Sequence, residues 1–170
     1  MRGIQRVNLK AWKQTANLAP PVCNALLHRD HLTVMAVGGP NSRHDFHLNH
    51  GAEFFWQHEQ TLSLPTVQRR ERRDVLIEPG HVFLLPPRIP HSPQRPAHSF
   101  GLVVERERTE RELDALRWYV DFERPEAVLW EKEFRCTDLG RDLLPIIEAC
   151  RRSDAARTGA FGIRRLGLVL

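Results

Sequence analysis

The sequence predicts a mainly β chain, folded as an all-β barrel or sandwich, with short helices near its two ends. Three observations predict it. Apolar residues come in short runs, Gly, Pro and charged turn signals recur roughly every eight to twelve residues, and helical apolar spacing is confined to the ends. Val7 to Ala16 carries the first helical spacing, around Trp12, and Pro20-Pro21 stops it. Leu32 to Val37 (LTVMAV) reads as a strand bounded by Gly38-Gly39-Pro40, and Glu53 to Trp56 (EFFW) opens another. Thr61 to Val67 and Arg73 to Ile77 read as two strands with a charged turn between them. Glu78-Pro79-Gly80 is a turn, His81 to Leu85 a strand, Pro86 to Pro90 a proline-rich bend, and Ser99 to Val104 a further strand. Beyond this, Leu113, Leu116 and Tyr119 are spaced as on a helix over Thr109 to Tyr119, and Leu143 to Cys150 reads as a second helix around Pro145. The expectation is one domain over 1–170, with core strands over about 30–107 and a helical extension over about 108–170. Residues 159–170, apolar and basic, receive no assignment.

At 170 residues, with 41% apolar and 27% charged side chains, the chain can bury a core without staples. No apolar run approaches the roughly 18 residues of a membrane span, and MRGIQRVNLKAWKQ lacks the apolar stretch of a signal peptide. Cys23, Cys136 and Cys150 are too few and too widely spaced for a disulfide framework or a CxxC site, so a cytoplasmic location is expected. The formal charge is +4, almost all of it arginine. Glu71 and Asp74 interrupt the cluster at Arg69-Arg70-Glu71-Arg72-Arg73, and no aromatic is interleaved. The cluster reads as a solvated hairpin end, and no nucleic acid partner is expected. Positive charge inside the fold would instead draw a small anionic substrate.

Chemistry concentrates in two segments. HDFHLNHGAEFFW places His47 six residues before Glu53, and PGHVFLLPPRIPH brings His91 after a glycine turn, a strand and a proline bend. Two imidazoles and one carboxylate leave positions open on a six-coordinate metal, an arrangement that suits non-haem Fe(II) with its organic substrate and O2. A His with a Glu six residues later is by itself weak evidence. The second segment sharpens it: Gly80, Pro86 and His91 follow G-x5-P-x4-H, which resembles the second motif of the cupin superfamily, and His47-x5-Glu53 resembles most of the first. Asp45 stands where many cupins carry another histidine, which leaves two histidines and one glutamate.

The strings NLKAW, LAPPVCN, GGPNSRHDFH, EFFWQ, FLLPPRIPHSPQRP and LVVERER resemble the 3-hydroxyanthranilate 3,4-dioxygenase family over residues 7 to about 120. The resemblance implies a single cupin (jelly-roll) barrel and an extradiol-type, Fe(II)-dependent dioxygenase. Such an enzyme turns 3-hydroxyanthranilate and O2 into 2-amino-3-carboxymuconate semialdehyde, the precursor of quinolinate. It implies His47, Glu53 and His91 as ligands of one Fe(2+) per chain, Arg43, Arg95 and Glu105 at the substrate, and a homodimer. Two arginines suit a substrate carboxylate, and Glu105 suits a ring hydroxyl or amino group. Asn24 could add a polar contact, and Asp45 could orient His47 or Arg43. His44, His50 and His58 are expected to be solvated or hydrogen-bonded rather than ligands, and Phe54, Phe55 and Trp56 to be core or pocket wall. Two other readings stay open: the same chemistry on a related 2-aminophenol carboxylate, and a non-catalytic cupin that binds a small acid.

The chain also departs from the family pattern. It lacks the paired CxxC motifs that many bacterial members carry near the C-terminus for a second iron. Cys23, Gln60 and Arg88 stand where glycines are usual, and the turn at Gln68-Arg69-Arg70 lacks the usual Asp-Gly.

Overall fold

The structure, a computed structural model, describes residues 6–16, 18 and 23–157. Its elements are α1 (Leu9–Thr15), β1 (Asn24–Asp30), β2 (Leu32–Gly38), β3 (Phe46–Leu48), β4 (Glu53–Glu59), β5 (Leu62–Gln68), β6 (Glu71–Ile77), β7 (Val82–Leu85), β8 (Phe100–Arg106), β9 (Asp114–Tyr119), β10 (Val128–Phe134), α2 (Leu139–Arg152) and α3 (Asp154–Arg157). The fold is mainly β, as expected. Pro20-Pro21, Arg164-Arg165 and the stretch 159–170 lie outside the described residues.

One antiparallel sheet runs β1-β2-β8-β4-β7. The second carries β10-β9-β3 and β5-β6, and the segment 91–95 joins these two groups. His91 bridges to His47 of β3 on one side and to Thr66 of β5 on the other, and Gln94 bridges to Ser63. The proline-rich bend therefore leads into an irregular strand. The sheets face each other in jelly-roll fashion. Met35, Val37, Phe55, Leu85 and Val103 of the first sheet meet Leu62, Leu64 and Ile77 of the second. Along β4, Glu53, Phe55 and Gln57 are buried, while Phe54 between them is 39% exposed. Period two thus corrects the grouping of Phe54 with the core: it faces outward beside Leu84.

The core strands begin earlier and end later than expected. β1 had no clean alternation to reveal it, and its residues are mostly half-buried. The helix expected over Thr109 to Tyr119 is instead strand β9, and β10 follows it where a helical extension was expected. The cause is burial on both faces. On one face Leu116 and Trp118 are covered by Leu143 and Cys150 of α2, and on the other Tyr119 packs with Phe46 and Val67. A strand covered on both sides has no polar face, so its apolar residues need not alternate. The C-terminal helix does exist, but it starts at Leu139 and holds Pro145 inside it. Its start is organised upstream of the proline. Asp138 caps it by accepting from the Arg141 N–H at 3.2 Å, and the Asp142 carboxylate accepts from the N–H groups of Thr137 and Asp138 at 2.7 and 2.9 Å.

All three positions where a glycine was expected have a left-handed backbone: φ is 51° at Cys23, 57° at Gln60 and 60° at Arg88. Arg69 and Arg70, at 53° and 67°, form the two-residue turn between β5 and β6. A hairpin turn with both central residues at positive φ is the kind that Asn-Gly fills with least strain. Replacing Arg69-Arg70 by Asn-Gly is expected to stabilise the fold by about 1 kcal/mol, or about 2–4 °C in a thermal melt. An unchanged or lower midpoint would contradict the assigned turn. A second prediction concerns pH. Burial pushes the Asp142 carboxyl up, but bonds from Arg141 and the Thr137 and Asp138 backbone outweigh it and hold the pKa well below the usual carboxylate range. Its stabilisation is therefore fully present above the unfolded value, near about 4, starts to decline as pH falls below it, and is lost only as pH falls through the much lower folded-state value. Between pH 5 and pH 3 the parent midpoint should fall more steeply than that of Asp142→Asn.

Candidate metal centre and its pocket

The site is built by alternation on both sheets. His47 is the middle residue of β3 and Glu53 the first of β4. His91 exchanges two backbone hydrogen bonds with His47, N–H to O at 2.8 and 3.0 Å. That pairing sets the two imidazoles side by side, 5.3 Å between ring centroids. Further along the same segment Asn41 and Arg95 exchange a second such pair, at 2.9 and 2.8 Å. Residues two apart share a face of a strand, so His91, Pro93 and Arg95 point inward together, opposite Asn41, Arg43 and His47, and all six line one cavity with Asn24, Glu53 and Phe55. Met35, Val37 and Val103, with Leu139 and Leu143 from α2, complete its apolar wall.

Among the described residues, His47, Glu53 and His91 form the single group of three or more His, Cys, Asp or Glu side chains placed to hold a metal, with ligand atoms within 4.8 Å of one another. All three are buried. His91 Nε2 lies 3.2 Å and His47 Nδ1 3.9 Å from Glu53 Oε1. That oxygen has no hydrogen-bond partner. The far nitrogen of each imidazole is occupied: His47 Nε2 donates to Asp114 Oδ2 at 2.6 Å and His91 Nδ1 donates to the Ile89 carbonyl at 3.0 Å. These bonds fix the tautomers and leave one bare nitrogen on each ring turned towards the carboxylate. Two imidazole nitrogens and an unsatisfied buried carboxylate oxygen are a donor set that fits a divalent transition metal. Burial pushes the Glu53 carboxyl up, but the charges of His91, His47 and Arg108 outweigh it and hold it low. Burial pushes the Asp114 carboxyl up, but bonds to His47 and Arg108 hold it down at about 2.

The arginines differ in their surroundings. Arg43 is tied to Asp45, with Nε donating to Oδ1 at 3.1 Å and a second, shorter bond from Nη2. Asp45 therefore orients Arg43, not His47. Gln94 also fixes Arg43: its Oε1 accepts from the Arg43 N–H at 3.0 Å and its Nε2 donates to the Arg43 carbonyl at 2.8 Å. Arg95 is 6% exposed, its Nε has no hydrogen-bond partner, and burial together with nearby Arg43 lowers its pKa to about 10.

Glu105 pairs in register with Glu53 across β4 and β8, but it lines an adjoining cavity with Arg108 and Cys136. Asn24, Met35 and Leu139 are common to both cavities. Burial and the charge of Glu53 raise the Glu105 carboxyl, against the pull of Arg108. Other histidines stay outside the group: His50 meets Arg88 and Glu112, and His44 packs on the Phe122 ring. Sequence reasoning missed Asp114, Arg108, Gln94 and the two leucines of α2. Gln94 and Arg108 were in view inside HSPQRP and LVVERER. The others lie in the region read as a helical extension.

Comparisons with known proteins show the family of the chain. The profile of a family described as 3-hydroxyanthranilic acid dioxygenase matches residues 1–150. The 3-hydroxyanthranilate 3,4-dioxygenases of Rattus norvegicus and Homo sapiens are 50% and 48% identical to this chain, over 90% and 91% of its length and 54% of theirs. That of Caenorhabditis elegans is 41% identical over 95% of this chain and 58% of its own. The chain spans about half the length of the curated relatives it matches. With a profile match over most of its residues and close to half of its aligned positions shared with these relatives, the chain belongs to the 3-hydroxyanthranilic acid dioxygenase family.

Proposed function

We propose that this chain is an Fe(II)-dependent dioxygenase that opens the ring of 3-hydroxyanthranilate with O2, giving 2-amino-3-carboxymuconate semialdehyde. One iron per chain would be held by His47, Glu53 and His91. The observation that carries the reading is the meeting, in one cavity, of a buried two-histidine, one-glutamate donor set with Arg95, a buried guanidinium whose Nε is unsatisfied. A buried cation of this kind calls for an anion. The chemistry that iron supplies when bound is a coordination sphere shared by substrate and O2, with a redox path between them.

The residues of the chain do the rest. Arg43 and Arg95 hold the substrate carboxylate, and Asp45 and Gln94 keep Arg43 aimed. Phe55, Val37, Leu139 and Leu143 receive the ring and keep water from it. Glu105, its carboxyl raised by burial and by Glu53, takes the proton of the ring hydroxyl. The proposed partners are therefore a small aromatic acid and O2. Free cysteines suit a reducing, cytoplasmic compartment. The exposed apolar strip of Phe54, Val82 and Leu84 gives the expected homodimer a surface.

The test loads the chain with Fe(II) without oxygen and then adds air and 3-hydroxyanthranilate. Oxygen uptake with growth of the yellow semialdehyde absorption is the expected result, and His91→Ala should abolish both. A ferrous protein that consumes no oxygen overturns the reading, and a better rate with another aminophenol carboxylate moves it to that substrate. Arg95→Met separates binding from folding. Loss of its charge-assisted hydrogen bonds should raise KM about 10- to 100-fold. Removal of a buried unpaired charge should raise the thermal midpoint at the same time.

A further inference from the structure

We propose that Arg108 is a positioning residue that couples the metal side of the site to its proton-accepting side: one guanidinium holds both Asp114, the carboxylate behind His47, and Glu105. This rests on the dioxygenase reading. Arg108 donates from Nε to Asp114 Oδ1 at 2.6 Å and from Nη2 to Asp114 Oδ2 at 2.7 Å. It also donates from Nη1 to Glu105 Oε1 at 2.8 Å and from Nη2 to Glu105 Oε2 at 3.1 Å. Two edges of one planar group are thus used on two buried carboxylates. Only arginine carries enough donors in a rigid fork for this, because an ammonium is a point charge that cannot span both edges.

The contacts close into a ring. His47 donates to Asp114, Arg108 joins Asp114 to Glu105, and the Asn49 amide donates to Glu105 from a position two residues past His47 on the same chain segment. Asn49 is itself fixed, its Oδ1 accepting from the Gly51 N–H at 2.9 Å. The arrangement has a local origin in the sequence. Glu105 is near the end of β8, Arg108 lies just beyond it, and Asp114 opens β9. β9 returns beside β3, where His47 pairs with Leu116. The connection between β8 and β9 therefore brings Asp114 onto the His47 imidazole, with Arg108 and Glu105 linked behind it. Side chains of Asp114, Glu105 and Arg108 are 0%, 2% and 9% exposed, so little solvent is at hand to replace a lost partner. Without Arg108, Asp114 and Glu105 would be left in the interior without their shared cation, next to Glu53. A rotated Asp114 would release His47, and a rotated Glu105 would leave the substrate hydroxyl.

The experiment measures Co(II) or Fe(II) affinity by anaerobic titration, and kcat and KM, for the parent chain, Arg108→Gln, Arg108→Lys, Asp114→Asn and Glu105→Gln. Arg108→Gln should weaken metal affinity about 10- to 100-fold, as loss of a partner behind a ligand does, and should lower kcat as well. Asp114→Asn should reproduce the affinity loss, and Glu105→Gln the kcat loss with affinity near that of the parent. In the Arg108→Gln background, adding Asp114→Asn should cost less affinity than it does alone, which marks the two as one unit. If Arg108→Gln does not fold, Arg108→Lys carries the test: it keeps the charge, loses the fork, and should still lose affinity and kcat together. A folded variant at Arg108 with a lower melting midpoint but parental affinity and kcat shows a merely structural role and overturns the proposal. A parent chain that binds no metal overturns the dioxygenase reading, and this proposal with it.

Discussion

The double backbone bond between His47 and His91 is the contact on which the site depends. His91 belongs to no regular strand, yet it is bonded on one side to β3 and close to Thr66 of β5 on the other. That placement closes the second sheet. It also fixes which way each side chain points, since a slip of one residue would turn His91 out and Ser92 in. The HSPQRP string can then be read position by position. His91, Pro93 and Arg95 face the cavity, while Ser92 donates its N–H to the Pro65 carbonyl and Gln94 grips the backbone of Arg43.

The interior is unusual for the charge it holds. Glu53, Glu105, Asp114, Asp45 and Arg95 are all buried in the space between the sheets or beside it. Charge in such surroundings is tolerated only when paired or hydrogen-bonded. Asp45 has Arg43, and Asp114 and Glu105 have Arg108. Among these five side chains two buried atoms have no hydrogen-bond partner, Glu53 Oε1 and Arg95 Nε. One suits a cation and the other an anion, and they border the same cavity. The incomplete pairing leaves a place for one cation and one anion in the same cavity.

The backbone away from the donor set tells a different story. Cys23, Gln60, Arg69, Arg70 and Arg88 all stand in left-handed backbone conformations that glycine would adopt more easily. Their common geometry shows that these positions take the shape glycine favours without a glycine. None of the five supplies a metal ligand, so the strain is borne by the scaffold and leaves the donor set intact.

The sequence by itself determined the mainly β class and pointed to the three members of the donor set. These were legible because each sits in a short segment with its own spacing: His47 and Glu53 across one turn, and Gly80, Pro86 and His91 along one bend. Arg43 and Arg95 carry no spacing of their own and were singled out through the family resemblance. Strands β4 to β8 were legible through alternation and turn residues. Only the tertiary structure decided that Asp114 to Tyr119 is a strand, because packing on both faces erases the period that sequence reading relies on. Only it could bring Asp114 to His47, 67 residues away, and α2 to the wall of the cavity. Those partners are chosen by where the sheets and helix pack, which no local pattern of residues records.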